Sequence, residues 1–221
     1  MTTSRSARFR VPEMEGRTAR WYARQRGTAS QLQGYRRQAA ALTDGLPEGA
    51  AVLEVAPGPG YFAVEVARLG YRVTTLDISH TMVEIATAYA RKEAVPVDVR
   101  HGDASAMPFE ADSFDCVVCQ AAFKNFLDPV QALNEMHRVL RPGGTAVIQD
   151  LNRDASRADI AAEVDGMRLN PINALTTRTT LGWLRRRAHP PAEFRGLAER
   201  SAFGACAIST DGIGLEVRMT K

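Results

Sequence analysis

An apolar segment that stops abruptly at a turn of glycine and proline constrains the fold of this chain more than any other feature. Residues 52–56 read Val-Leu-Glu-Val-Ala, and residues 57–60 read Pro-Gly-Pro-Gly. Gly58 and Gly60 lack a Cβ atom, so the backbone there can turn tightly and let a ligand approach closely. Apolar residues then recur at helical spacing. The pattern predicts a strand, a turn and a helix whose N-terminus points at a ligand.

Two carboxylates, those of Glu54 and Asp77, lie at positions where they could accept hydrogen bonds from a cofactor. Glu54 lies inside the first predicted strand, where an unpaired carboxylate would be costly, so we interpret it as an acceptor for a cationic or amide group. A second strand is predicted at residues 71–77 and ends in Asp77, 17 residues after Gly60. That is close to the spacing at which an acidic residue accepts the ribose hydroxyls of an adenosine cofactor.

Strand and helix patterns alternate along the chain and indicate an α/β protein. Strands are predicted at residues 51–56, 71–77, 97–101, 114–119 and 145–150, with helices at 61–69, 79–92 and 129–140. Arg141–Gly144 is expected to end the last of these helices. Two further strands, at 205–210 and 214–219, flank a hairpin turn at Asp211-Gly212. The chain is therefore predicted to form a doubly wound, seven-stranded and mostly parallel sheet with an antiparallel C-terminal hairpin.

The regions outside this alternation are expected to cover the sheet edge. Residues 1–43 are interpreted as an N-terminal helical lid, untethered at its start, and residues 44–221 as the core. Residues 151–189 interrupt the core with two further helices, expected at 156–168 and 171–188, and are predicted to cover an acceptor pocket. Ligands of such sheets bind at the carboxyl ends of the strands.

Composition and charge narrow the class of protein. The net charge is +3, yet residues 1–40 hold nine arginines, which fits an anionic partner or simply a basic layer on an acidic core. With no apolar run long enough to span a membrane, we expect a cytoplasmic protein that does not bind membranes. The three cysteines, Cys116, Cys119 and Cys206, are expected to be structural thiols of a reducing compartment.

Five motifs in order give the chain a family resemblance. They are Glu54–Gly60, Asp77, Gly102-Asp103-Ala104 followed by Met107-Pro108-Phe109, Phe114–Val118, and Arg138–Gly144. On these the chain resembles a class I S-adenosylmethionine-dependent methyltransferase of the small-molecule type, similar to quinone-biosynthesis and natural-product methyltransferases. The resemblance implies a Rossmann-like fold and S-adenosylmethionine as cofactor, with S-adenosylhomocysteine as its product.

The resemblance assigns residues to the methionine end of the cofactor. Gly58 and Gly60 would lie beneath the methionine part, with Glu54 near its amino group. Gln120 would face the sulfonium end. Ala56 occupies the position of the family's usual first glycine, which is a departure from the pattern.

The resemblance also assigns residues to the nucleoside end of the cofactor. It implies that Asp77 holds the ribose, that Ile78 and Met82 flank the adenine ring, and that Asp103 and Ala104 bind the edge of that ring.

Residues that could act on the methyl acceptor are less distinct. Methyl transfer needs a general base only if the acceptor must lose a proton. Lys124 and Asn125, in the loop after the fourth strand, are candidates, although a solvated lysine on a loop is the commoner case. Tyr22 in the lid and His189 beside the insertion are further candidates. Asp128 with Asn125 does not make a metal site, and no metal is predicted.

The expected activity is transfer of a methyl group to O, N or C of a small organic acceptor by in-line displacement. An RNA methyltransferase that uses the basic N-terminus is one alternative, although no RNA-binding module is recognisable. A nicotinamide oxidoreductase is another, because Gly58-x-Gly60-x-x-Ala63 with Asp77 fits that class too. A cofactor-binding protein without transfer chemistry is a third. The oligomeric state is open, and a homodimer is among the expectations.

Overall fold

A computed structural model describes residues 14–167 and 169–221, and its central feature is one seven-stranded sheet. The strands are β1 Ala51–Val55, β2 Arg72–Asp77, β3 Val97–His101, β4 Phe114–Gln120, β5 Leu140–Leu151, β6 Ala207–Asp211 and β7 Gly214–Thr220. The helices are α1 Gly16–Arg26, α2 Ala29–Thr43, α3 Tyr61–Arg68, α4 His80–Lys92, α5 Pro129–Val139, α6 Arg157–Gly166, α7 Pro171–Arg185 and α8 Pro191–Arg200. A single 3₁₀ turn spans Phe123–Asn125. The residues expected to be untethered, 1–11, lie outside the described part of the chain.

The strand order is β3-β2-β1-β4-β5-β7-β6. Strands β1 to β5 run parallel, whereas β7 is antiparallel to both β5 and β6. The predicted fold class, including the antiparallel C-terminal hairpin, is therefore confirmed. The chain direction across the sheet reverses between β1 and β4, so their carboxyl ends form the switch point where such sheets bind ligands.

Both faces of the sheet are covered, which explains why β1 is apolar at nearly every position. One face packs against α2 and α3 through residues such as Leu42, Phe62 and Val66. The other packs against α5 and α8 through Leu133 and Phe194. A strand buried on both faces cannot alternate apolar and polar residues, so its run of Ala-Val-Leu-Glu-Val makes Glu54 an exception that needs a reason.

The strand cysteines are buried thiols, as expected. Cys116 belongs to the cluster on the α2–α3 face and Cys119 to the cluster on the α5–α8 face. Burial raises the pKa of the Cys116 thiol to about 12 and also raises that of Cys119. Thiols held neutral on opposite faces of a strand cannot form a redox pair.

The start of α1 is fastened to the start of α4. The Ser79 hydroxyl donates to the Met14 carbonyl (2.8 Å), and the Gly16 amide donates to the Thr81 hydroxyl (3.0 Å). The Glu15 carboxylate accepts from the Thr81 amide (3.1 Å) and the Thr81 hydroxyl. These bonds, led by the hydroxyl of Thr81, lower the pKa of Glu15 to about 2. The N-terminal helices are thus held beside the carboxyl end of β2.

The loop after β3 is held by α5. The Met107 amide donates to Glu135 (2.8 Å), while Arg138 donates to the carbonyls of Phe109 (2.7 Å) and Met107 (3.0 Å). Arg138 also pairs with Glu135 (2.7 Å). The charged groups of this pair therefore satisfy loop backbone groups, which fixes the segment that follows Asp103.

The prediction for Arg141–Gly144 was wrong in one respect. These residues do not merely end α5, because β5 already begins at Leu140 and runs through them. The Gly143 amide donates to the Lys221 carbonyl (2.9 Å), and the Lys221 amide donates to the Gly144 carbonyl (3.0 Å). The end of the chain thus supplies pairing partners that the local sequence does not reveal.

The inserted helices form a separate layer. Helix α6 begins with a capping box between Ser156 and Asp159, and α7 packs against α6 without burying any of its own side chains. Ile172, Leu175 and Trp183 of α7 are exposed. Among the helices in the described ranges, none is long and apolar enough to cross a membrane.

Candidate functional site

A cleft of about 610 Å³ opens at the carboxyl ends of β1, β2 and β4. It is lined by residues 54–59, 76–78, 102–105, 120–122, 125–128 and 149–151, with Tyr61, Phe62, Met82 and Ala132. The N-terminal helices and the residue before them add Met14, Tyr22, Arg26, Tyr35 and Gln38. Its volume is in the range of small-molecule sites, and it lies at the switch point of the sheet.

The loop after β1 has a left-handed backbone at two lining residues. Ala56 has φ +56°, and its amide donates to the Leu76 carbonyl (2.8 Å). An L-residue in this conformation costs about 1–2 kcal/mol, so the loop keeps its shape at some expense of stability. Gly58 has φ +55°, and a Cβ atom there would have only a Tyr22 ring atom within 4 Å. The backbone at Gly58 is therefore open to a ligand.

Gly60 has a packing role that the sequence did not indicate, and its place beneath the cofactor stays a prediction. It precedes α3 with φ +76°, and a Cβ atom there would lie 2.9 Å from the Ala86 Cβ. It does not line the cleft. The glycine allows α3 to pack closely on α4, and the structure gives no support to a contact between Gly60 and the cofactor.

Asp77 joins the loop after β1 to the start of α4. Its Oδ1 accepts from the Ser79 amide (2.9 Å), and its Oδ2 accepts from the Gly58 amide (3.1 Å). The side chain is buried and lines the cleft, and burial raises its pKa to about 6. Each carboxylate oxygen can accept a second hydrogen bond, so Asp77 can hold the loop and still bind hydroxyl groups of a ligand.

Glu54 presents an unsatisfied oxygen. Its residue exposure is 3%, and within the described part of the chain no hydrogen-bond partner lies near its Oε2. Burial raises its pKa to about 8, against the effect of a hydrogen bond from the Ala63 amide. Because buried polar atoms are normally paired, an orphan carboxylate oxygen at a cleft indicates a missing donor.

The N-terminal helices bring a cation to the cleft. Arg26 donates through Nε to the Tyr35 hydroxyl (3.0 Å). Burial raises the pKa of Tyr35, while the charges of Arg26 and Glu54 act on it in opposite directions. Arg26, Tyr35 and Glu54 all line the cleft. Sequence reasoning missed Arg26 and Tyr35, because helical spacing does not show which of the nine N-terminal arginines faces a pocket.

The residues predicted to bind the nucleoside are brought together. Ile78, Met82, Asp103 and Ala104 all line the cleft, on the side of β2 and β3. Oδ1 of Asp103 accepts from both the amide and the hydroxyl of Ser105 (2.8 Å each), which orients the carboxylate.

Gln120 lies at the carboxyl end of β4 and also lines the cleft. Its Nε2 donates to Gln149 Oε1 on β5 (2.8 Å). Gln149 in turn donates to Glu216 Oε2 on β7 (2.7 Å). A chain of side-chain hydrogen bonds therefore connects the cleft to β7, the strand next to the sheet edge.

Lys124 is not the solvated lysine considered from the sequence. Its Nζ donates to Asp150 Oδ1 (2.8 Å) and to the Ala121 carbonyl, and its amide donates to Asp150 Oδ2 (3.1 Å). The two side chains are only 7% and 2% exposed, and Lys124 does not line the cleft. A lysine fixed in a buried ion pair is unsuited to act as a base, so this candidate is corrected to a structural role.

The other candidates for acting on an acceptor separate into two groups. Tyr22 and Asn125 line the cleft. His189 does not, because its ring packs against Phe123 and Phe194 while its Nδ1 lies 3.1 Å from Glu193. The structure therefore retains Tyr22 and Asn125 as candidates and assigns His189 to packing.

Two expectations about the site stay predictions. In residues 14–167 and 169–221, no three His, Cys, Asp or Glu side chains form a group suited to a metal ion. No described residue between 152 and 189 lines the cleft. Within the insertion, Leu151 lines the cleft, and the covering role of residues 151–189 stays a prediction.

Comparison with known proteins agrees with this geometry. Residues 53–148 match the family model of the methyltransferase domain. A demethylmenaquinone methyltransferase of Deinococcus radiodurans is 37% identical over 107 residues, which are 48% of this chain and 44% of that protein. A ubiquinone biosynthesis O-methyltransferase of Xanthomonas axonopodis is 34% identical over 108 residues, 48% of this chain and 45% of that protein. The chain spans less than half the length of either relative.

The fold is shared by solved structures. A methyltransferase from Aquifex aeolicus, described as S-adenosylmethionine-dependent, superposes with a TM-score of 0.68 at 17% identity. The match covers 90% of this chain and 96% of that one. At this identity the likeness shows the fold alone.

Replacing Lys124 by methionine tests its structural assignment. The change leaves the Asp150 carboxylate buried without its cation, so the free energy of unfolding should fall by about 3–5 kcal/mol in urea titrations. Adding Asp150→Asn should recover much of that loss. Arg100→Met, which breaks the exposed pair with Asp98, is the matched control and should cost less than about 1 kcal/mol. Unchanged stability with lost ligand binding would contradict the assignment.

Proposed function

We propose that this protein, whose residues 53–148 form a class I S-adenosylmethionine-dependent methyltransferase domain, transfers the methyl group of that cofactor to a small organic acceptor. The observation that carries the proposal is the orphan oxygen of Glu54, facing a cleft over the open Gly58 backbone. A cationic group of a ligand that donates a hydrogen bond to this oxygen satisfies the unpaired polar atom that is most costly to bury in the site.

The charges of the cleft suit the amino-acid end of the cofactor. An α-amino acid carries an ammonium and a carboxylate side by side. Glu54 offers an acceptor for the ammonium, and Arg26 offers a donor for the carboxylate. Arg26 donates to the Tyr35 hydroxyl, and the charges of both Arg26 and Glu54 act on the pKa of Tyr35, which supports this pairing.

The opposite end of the cleft suits an adenosine group. Asp77 has acceptor capacity left for the ribose hydroxyls after holding Gly58 and Ser79. Ile78 and Met82 supply apolar contacts for a flat ring, and Asp103 stands at its edge. These roles follow the family resemblance and are part of the proposal.

The bound cofactor supplies a methyl group on a positively charged sulfur. The protein contributes alignment of the acceptor and exclusion of water, which together account for most of the rate in such displacements. Helices α1 and α2 act as the lid in this proposal, since both supply side chains to the cleft and a Tyr22 ring atom lies 3.9 Å from where a Cβ atom of Gly58 would be. An acceptor in line with the methyl group would meet Tyr22 or Asn125 rather than Lys124.

The acceptor is proposed to be a small aromatic or quinone-like molecule. Support comes from the printed names of the curated relatives, which place them in menaquinone and ubiquinone biosynthesis. Whether the methylated atom is oxygen, nitrogen or carbon is left open by the cleft. No feature of the described residues favours RNA over a small acceptor.

Calorimetric titration with S-adenosylhomocysteine, alongside NADH and NADPH, tests the cofactor. We expect micromolar binding of the homocysteine product and no response to either nicotinamide. Asp77→Asn should weaken that binding about tenfold or more, because charge-assisted hydrogen bonds are lost. Asp98→Asn, at an exposed position on β3, is the matched control. Nicotinamide binding without homocysteine binding would overturn the proposal.

The pH dependence of binding tests the role of Glu54. With its pKa raised to about 8, the free protein holds a proton that an unfolded chain would lose near pH 4.5, so stability of the free protein falls as pH rises across that interval. An ammonium ligand binds the ionised form and releases the proton. Affinity for S-adenosylhomocysteine should therefore increase from pH 6 to about pH 8.

Calorimetry in buffers of different ionisation enthalpy measures the released proton directly. Glu54→Gln should remove most of the proton release and of the slope of affinity with pH, and the part left near pH 6 belongs to Asp77, whose pKa is also raised. An unchanged slope in this variant would show that another group interacts with the ligand ammonium.

A further inference from the structure

Three polar side chains form one row across the C-terminal half of the sheet. Gln120 on β4 is in register with Gln149 on β5, and Gln149 is in register with Glu216 on β7. Residues in register project to the same face, so their side chains meet. Gln120 donates to Gln149 (2.8 Å), and Gln149 donates to Glu216 (2.7 Å).

The negative charge of Glu216 sets the donor-to-acceptor direction of the hydrogen bonds in this row. An ionised Glu216 only accepts hydrogen bonds, so Gln149 must turn its amide nitrogen toward it. Gln149 then presents its amide oxygen to Gln120, so Gln120 must donate the hydrogen bond from its own amide nitrogen. Arg218, two residues along β7, donates to Glu216 Oε1 (2.7 Å). Although burial raises the pKa of Glu216, hydrogen bonds from Gln149 and Arg218 hold it below the ordinary value.

The direction of the hydrogen bonds in this row decides which atom of the Gln120 amide faces the cleft. With its nitrogen committed to Gln149, the Gln120 amide turns its carbonyl oxygen away from the row, and Gln120 lines the cleft. Glu54 stands on the adjacent strand, in register with Val118, two residues before Gln120 on the same face. Glu54, with its orphan oxygen, and Gln120, with its carbonyl oxygen, thus line the same part of the cleft.

We infer that Glu216, acting through Gln149, is a positioning residue that holds the Gln120 carbonyl oxygen toward the positively charged sulfonium end of the cofactor. The inference rests on the proposed function. A carbonyl dipole aimed at a cation is favourable, whereas an amide NH₂ in the same place is repulsive. The row therefore favours the charged cofactor over its neutral thioether product.

Reversal of the row provides the test. Gln120→Glu puts two acceptor oxygens face to face at the Gln149 contact and should lower the urea midpoint of unfolding. Glu216→Gln alone allows both glutamines to flip, because the new amide offers its oxygen to Arg218 and its nitrogen to Gln149. Adding Glu216→Gln to Gln120→Glu should therefore raise the midpoint again. If the losses in midpoint of the two single variants simply add in the double variant, the inferred direction of the hydrogen bonds in this row is wrong.

Binding provides the second measurement. Glu216→Gln should weaken binding of S-adenosylmethionine about two- to tenfold relative to S-adenosylhomocysteine, as expected for loss of one favourable polar contact. Asp211→Asn makes the same chemical change at an exposed position of the same hairpin and should leave the ratio of the two affinities unchanged.

The outcomes separate the inference from the proposed function. If the native protein binds neither compound, the proposed function fails, and with it the role assigned to Gln120. If both bind and the midpoints show the reversal, a fixed affinity ratio in Glu216→Gln would overturn the contact with the sulfonium. A reduced ratio together with the reversal supports the inference.

Discussion

The carboxylate of Asp77 is the junction on which the cleft depends. It accepts from the backbone of Gly58 on one side and of Ser79 on the other. These two bonds fix the left-handed loop after β1 relative to the first turn of α4. Ser79 completes the arrangement by accepting from the Met82 amide, which caps the helix. A single buried acid therefore sets the spacing between the two ends of the site.

A second layer of contacts places the lid on that junction. The bonds between Glu15 and Thr81 fasten the start of α1 beside β2, and the Tyr61 hydroxyl donates to the Ala23 carbonyl near its end. Arg26, three residues after Ala23, donates to the Tyr35 hydroxyl of α2. The cation of the site thus comes from a segment outside the family-matched residues 53–148. The docking of α1 and α2 on the core therefore brings the Arg26 side chain to the cleft.

Features that depend on local sequence could be predicted, whereas features that depend on residues remote along the chain could not. The parallel strands, the Ser79 cap, the terminal hairpin and the position of Asp77 follow from periodicity and turn residues. The burial of Lys124 depends on Asp150, which is remote in sequence, and the role of Gly60 depends on the proximity of Ala86. No local pattern encodes such juxtapositions, so the sequence alone could not show that Lys124 is held in a buried ion pair.

The central claim is that the orphan oxygen of Glu54 receives the ammonium of an amino-acid cofactor. A crystal structure of the protein with S-adenosylhomocysteine measures this directly. The account predicts the homocysteine nitrogen within about 3 Å of Glu54 Oε2, with the carboxylate toward Arg26 and the ribose on Asp77. A homocysteine nitrogen bound elsewhere, with Glu54 still unpaired, would contradict it.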